Sequence, residues 1–156
     1  MTAFYDKPML IAELERDEGI RGSVYDDATG QEIRPGNVVK GNPTIGVGHN
    51  CNARPLSQPE IDLILRNDIS EVEMGLDQHF PWWRNMNDVR QRVILNMAFN
   101  MGLPTLCQFK TTLADMQAGY WQDAAAGMRA SLWFRQVGAR AERLAKMMEA
   151  WANLEP

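Results

Sequence analysis

Histidine and cysteine are scarce in this chain of 156 residues, with two of each. His49 and His79 have no paired metal-ligand spacing, so a zinc site would need nearly every soft ligand present; neither a metal nor a cofactor is expected. Cys51 and Cys107 are too few for a disulfide framework and read as free thiols. No stretch approaches the roughly twenty apolar residues of a membrane span. Residues 1–8 show no apolar core of an export signal. Internal repeats and low-complexity segments are missing as well. These absences predict a single domain, made in the cytoplasm and without stable membrane association.

What is present is unevenly distributed. Residues 1–80 hold seven basic and fourteen acidic side chains, whereas residues 81–146 hold nine basic and four acidic. A basic half facing an acidic half suits a polyanionic substrate, although solvated helix faces give the same count. The overall charge of −4 gives no reason to expect a nucleic-acid partner.

Asp6 and Pro8 suit the start of a helix whose stripe is Leu10, Ile11 and Leu14, ended by Gly19. From Arg21 to Asn50 helical spacing stops and Gly and Pro punctuate short β-prone runs. Two or three antiparallel strands are predicted there, with an extended hairpin loop over residues 30–43. Ser57 to Glu60 forms a capping box. The helix after it carries Ile61, Ile64, Leu65, Ile69, Val72 and Leu76 at helical spacing. His79 to Trp83 closes that helix. Beyond it, Val89, Val93, Met97 and Met101 mark a helix ended by Gly102 and Pro104. Further helices are predicted near 111–118, 121–133 and 140–152, the last with Leu144, Met147, Met148 and Trp151. The ten Met and five Trp mostly fall on these stripes and read as core. The fold class is α+β, with a small mixed lobe over about 10–58, a linking helix over about 58–80, and a helical lobe over about 81–156.

Carboxylates are the first candidates for chemistry. Glu18 ends the first helix on its apolar face, and both an apolar surround and a helix C-terminus disfavour negative charge, as a general acid requires. Asp26 and Asp27 follow in a polar strand-and-turn region suited to an ionised group. Two carboxyls in unlike settings are the pattern of glycoside hydrolysis. Gly46-Val47-Gly48 is not a nucleotide loop, because Cys51 stands where a third Gly belongs; it reads as a closely packed strand.

Arg16-Asp17-Glu18-Gly19-Ile20-Arg21, Tyr25-Asp26-Asp27 and Pro43-Thr44-Ile45-Gly46-Val47-Gly48-His49 resemble the lysozymes of T-even phages and their relatives, glycoside hydrolase family 24. Asn96 to Gly102, Ser131 to Phe134 and Arg140 to Arg143 resemble later segments of that family. The resemblance implies a lysozyme-like fold with Glu18 as acid, Asp27 as second carboxylate and Thr44 beside it. The eight residues between Glu18 and Asp27 fit the family motif and favour Asp27 over Asp26. The stretch between Asp27 and Thr44 is much longer than the family's, and the excess is assigned to the hairpin tip.

The resemblance further implies sugar contacts at Asn50, Phe99, Asn100 and Thr112. It implies an ion pair of His49 with Asp68, which lies on the apolar stripe of the linking helix and needs a partner if buried. Arg140 corresponds to an Arg that reaches the catalytic Glu. A family Asn on the penultimate helical segment falls at Gly127, so its hydrogen bond is expected to be missing.

The implied activity is inverting cleavage of peptidoglycan glycan strands after N-acetylmuramic acid by a monomeric endolysin that needs a holin for release to the wall. A lytic transglycosylase, a cysteine peptidase using Cys51 or Cys107, and a non-catalytic wall-binding module are the competing classes. Asp27 and Thr44 weigh against the first, and the absence of an electropositive thiol context weighs against the second.

Overall fold

The computed structural model describes residues 6–150, so Trp151 lies outside the described residues. Helix α1 (Lys7–Glu18) begins where Asp6 Oδ1 accepts from Met9 N at 3.0 Å and ends at Gly19, whose φ of 76° lets its N–H reach Glu15 O. Strands β1 (Arg21–Asp26), β2 (Pro43–Gly46) and β3 (His49–Asn50) form one antiparallel sheet in the order β1-β2-β3. The register sets Tyr25 opposite Thr44, Asp26 opposite Pro43, and Thr44 opposite Asn50. Of Gly46-Val47-Gly48, expected as strand, Gly46 ends β2 but Val47 and Gly48 form the β2–β3 reversal: Gly46 and Gly48 both take φ of 65°, which a β-branched residue resists.

The helices that follow are α2 (Gln58–His79), α3 (Asp88–Met101), α4 (Leu103–Leu106), α5 (Lys110–Ala118), α6 (Trp121–Ala130), α7 (Leu132–Val137) and α8 (Ala139–Glu149), with a 3-10 turn at Pro81–Asn85. Ser57 N and Oγ both donate to Glu60 Oε2, at 2.7 and 2.6 Å, in the predicted box. Two boundaries differ from expectation. Gly102 does end α3, but Pro104 then sits in the first turn of α4, where its missing N–H costs nothing. The helix expected over 121–133 is broken at Ser131, whose extended backbone and hydroxyl cap α7 at Phe134 N. The α+β class holds, mostly helical with a small sheet.

Contacts divide the chain into two units, meeting in sequence between Ile61 and Asp62. In the second, Leu76, Trp83, Val93, Ile94, Met97, Leu106, Met128 and Met148 are buried completely. Small side chains let helices approach closely, as Ala124 and Ala125 of α6 and Ala141 and Ala145 of α8 do in the same core. Met86, Met97, Met116, Met128 and Met148 fill it; Met97 and Met148 lie on the stripes predicted for their helices. Among the described residues Arg90 is the one charged side chain buried there. Buried at 6% exposure, it lies 4.1 Å over the Trp121 ring and donates to the α8-end carbonyls of Met148 and Ala150 at 2.9 and 2.6 Å. It supplies partners that the end of a helix cannot find in itself.

The stripe predicted for α2 is buried only at its C-terminal end. Leu76 is inaccessible and Gly75 packs on Leu103, while Ile61, Ile64, Leu65 and Ile69 are exposed. Alpha-helix α1 likewise buries none of its residues. No helix among the described residues is long and apolar enough to cross a membrane.

Candidate active site

The first unit is built around two adjacent carboxylates. Beyond β1 the chain reverses, with Thr29 N and Gly30 N donating to Asp26 O. Residues 31–33 then return along the free edge of β1: Tyr25 bridges Glu32, and Ile33 N donates to Val24 O at 2.9 Å. The extra residues are therefore not a simple hairpin tip. Their second half folds back onto the turn because Asp26 gathers it. Asp26 is 4% exposed and accepts from Lys40 N at 2.8 Å, Gly41 N at 2.9 Å and Ala28 N at 3.0 Å. The Lys40 N–H above all, with those of Ala28 and Gly41, holds the Asp26 carboxyl below the usual aspartate range against the opposing effect of burial.

Asp27 is different. Its side chain is exposed, with Oδ1 accepting from Asn42 N at 2.7 Å and Oδ2 from Asn42 Nδ2 at 3.1 Å. Asp27 N donates in turn to Asn42 O at 3.1 Å, and Thr44 Oγ1 donates to the same carbonyl at 3.2 Å. Asn42 thus brings Asp27 and Thr44 together despite the long intervening segment. Thr44 is 3% exposed, locked between β1 and β3.

Glu18 is the last residue of α1 and is exposed, so the apolar surround expected for it is missing; the Leu14 face of this helix is itself exposed. Its carboxylate lies against the β2–β3 reversal: a methyl group added at Gly48 would stand 3.1 Å from Glu18 Oε2. Arg54 braces this reversal by donating to Gly48 O at 3.0 Å.

His49 Nε2 is buried without a hydrogen-bond partner. The Glu60 carboxyl is held below its usual range by the Ser57 hydroxyl and N–H, and His49 adds a smaller favourable charge. Asn50, expected at the sugar, uses its Oδ1 to accept from Asn52 N and Ala53 N, both at 3.0 Å, and so shapes a turn.

In the second unit, Phe99 and Arg140 line one open cavity of about 580 Å³ with Asn96, Leu65 and Ile69. Arg140 Nε and Nη2 both donate to Asn96 Oδ1, at 2.9 and 2.7 Å. Asn100 lines another cavity of about 550 Å³, where its Oδ1 accepts from Trp133 Nε1 at 2.8 Å. Thr112 lines neither; it is 5% exposed. Gly127 packs against Thr112 Oγ1 so closely that a side chain there would collide with it. Asp68 is exposed on α2, so the apolar burial that called for a partner does not occur.

A family model for phage lysozyme matches residues 15–150. The chain belongs to the phage lysozyme family. It is 31% identical to the pre-baseplate central spike protein Gp5 of Enterobacteria phage T4, over 96% of this chain and 29% of that protein. The chain therefore spans under a third of the spike protein's length. It is 23% identical to the probable T4-type lysozymes 1 and 2 of Dictyostelium discoideum, over 87% of this chain and 91% of each. Membership supports a muramidase-type peptidoglycan hydrolase.

Asp27 and Thr44 were expected in this family member's site; Asn42 and Gly41, which lie against them, were not. A Cβ at Gly41 would collide with the Asp27 carboxylate and with Ala28. The Asp26-Asp27 doublet was the available signal: two adjacent carboxylates call for several donors, and a Gly-Asn pair supplies backbone and amide N–H groups at close range.

Proposed function

We propose that this phage lysozyme relative hydrolyses the β-1,4 bond between N-acetylmuramic acid and N-acetylglucosamine, with inversion, and serves host-cell lysis. One observation carries the reading. Asp27 and Thr44 converge on Asn42 at the end of the β1–β2 pair, and Glu18 meets the β2–β3 reversal of the same sheet.

In this reading Glu18 protonates the glycosidic oxygen as the C–O bond breaks and the sugar becomes oxocarbenium-like. Asp27, open to solvent, stabilises that charge and takes a proton from the attacking water. Asp26 is excluded from the role because its oxygens already hold the loop. Thr44 is buried, and its hydroxyl positions the Asn42 carbonyl beside Asp27. Phe99 and Asn100, both exposed beside open cavities, are the best placed of the remaining residues to meet sugar. The partner is the glycan strand, the enzyme acts as a monomer, and a holin gives it access from the host cytoplasm to the wall.

The test is digestion of purified peptidoglycan by wild type and Glu18→Gln, with product ends identified by mass spectrometry. Reducing N-acetylmuramic ends from wild type, lost in the variant, support the reading. Anhydro ends reassign the chain to transglycosylases, and uncut strands overturn glycosidase activity. A second reading rests on the similarity to the spike protein: a wall-cutting domain carried by the virus particle rather than a lysis enzyme. Detection of the chain in purified particles would favour it, and detection only in lysing cells would count against it.

A further inference from the structure

We propose that Asn42 is the residue that positions the Asp27 carboxylate for hydrolysis. This rests on the reading of Asp27 as the second carboxylate. Every polar atom of Asn42 is committed. Its N and Nδ2 donate to the two different oxygens of Asp27, at 2.7 and 3.1 Å. Its carbonyl accepts from Asp27 N at 3.1 Å and Thr44 Oγ1 at 3.2 Å, and its Oδ1 accepts from Asn52 Nδ2 at 3.3 Å. The orientation of the side-chain amide is fixed by these partners, because the reverse would set its oxygen against a carboxylate oxygen.

Two donors on two oxygens define the plane of a carboxylate, where a single bond would leave it free to rotate. A carboxylate has about four acceptor positions, so two bonds leave room for a water or a sugar hydroxyl. The fork itself is held from behind. Lys40 N and Gly41 N donate to Asp26 while the next N–H, that of Asn42, donates to Asp27. Three consecutive backbone donors thus serve two neighbouring carboxylates. Gly41 is required because the Asp27 carboxylate fills the space a Cβ would take. The extra segment between β1 and β2 therefore delivers a positioning residue to Asp27.

The experiment is a steady-state double-mutant cycle of Asn42→Ala and Asp27→Ala, with Asn42→Asp as a second substitution and melting temperature as a fold control. Asn42→Ala is expected to lower kcat roughly 10- to 100-fold with KM within about twofold, the loss typical of a misplaced catalytic group. Asn42→Asp, nearly the same shape, is expected to be worse than Ala because it faces Asp27 with a like charge. In the Asp27→Ala background Asn42→Ala is expected to add nothing. Equal fractional losses in both backgrounds, or full turnover in Asn42→Ala, overturn the proposal.

Full turnover in Asp27→Ala would instead overturn the assignment of Asp27. A readout independent of activity is the Asn42 side-chain amide in proton–nitrogen NMR spectra. Its protons are expected to be protected from solvent exchange in wild type and unprotected in Asp27→Ala. Unchanged protection in that variant would show that no clamp exists.

Discussion

The two units of this chain are held together by different forces. Among the described residues, the second buries eighteen apolar residues, while the only residues of the first that are buried as a whole are Asp26 and Thr44. Apolar burial is non-directional and stabilises by about 1.5–3 kcal/mol for each large side chain. A hydrogen bond contributes about 1 kcal/mol net, yet it fixes direction to within a narrow cone. The first unit consequently places atoms accurately around Asp26, Asp27 and Thr44, and the second supplies stability. A catalytic carboxylate needs the former, because an apolar core cannot hold a charged oxygen in place.

Substitutions can break this contrast. The largest expected effect is that of Glu18→Gln, which should lower turnover roughly 10²- to 10⁴-fold and leave the melting temperature unchanged. A large fall in melting temperature would mean that Glu18 is structural and that the division between the units is wrong. Leu76→Ala should do the reverse, costing about 3 kcal/mol of stability through its cavity while kcat at a permissive temperature stays within about twofold. Denaturant unfolding followed by Trp fluorescence measures it.

Asp26→Asn sharpens the first half of the contrast. It removes the charge that gathers Lys40, Gly41 and Ala28, so amide exchange over residues 28–42 should accelerate while α3 and α8 keep their protection. Uniform acceleration in both units would show that they unfold as one. The smallest effect concerns acid. Arg129 holds Glu142 and Glu149 below the usual glutamate range, chiefly through the hydrogen bonds it donates to them. Groups with depressed folded values stabilise fully above the ordinary glutamate pKa of about 4.3, and lose that contribution as pH falls through the lower folded value. Arg129→Met should therefore lower the melting temperature slightly at neutral pH and flatten its decline below about pH 4. An unchanged acid slope would place the sensitivity elsewhere.

Periodicity and punctuation made most of the second unit legible. The stripes of α3 and α8 and the Gly102 stop rest on local chemistry that neighbouring residues supply themselves, as does the capping box at Ser57 at the end of the first unit. The stripe of α2 was misjudged at its N-terminal end, since spacing defines a face but not what covers it. In the candidate site, the family motif singles out Glu18, Asp27 and Thr44 as candidates, and the fold brings Asp27 and Thr44 together at Asn42. That partner was not readable, because Asn42 lies fifteen residues from Asp27 and no local rule connects them.

The sequence by itself determined the family, the helical punctuation and the presence of two adjacent carboxylates after a short strand. Tertiary structure decided which carboxylate is buried and which is open. Asp26 and Asp27 have the same chemistry and differ by one position along a strand end, so the pleat turns one inward and one outward. The returning loop then supplies three backbone donors, two to the inner carboxylate and one to the outer. Which donors arrive depends on a chain reversal that only long-range hydrogen bonds close.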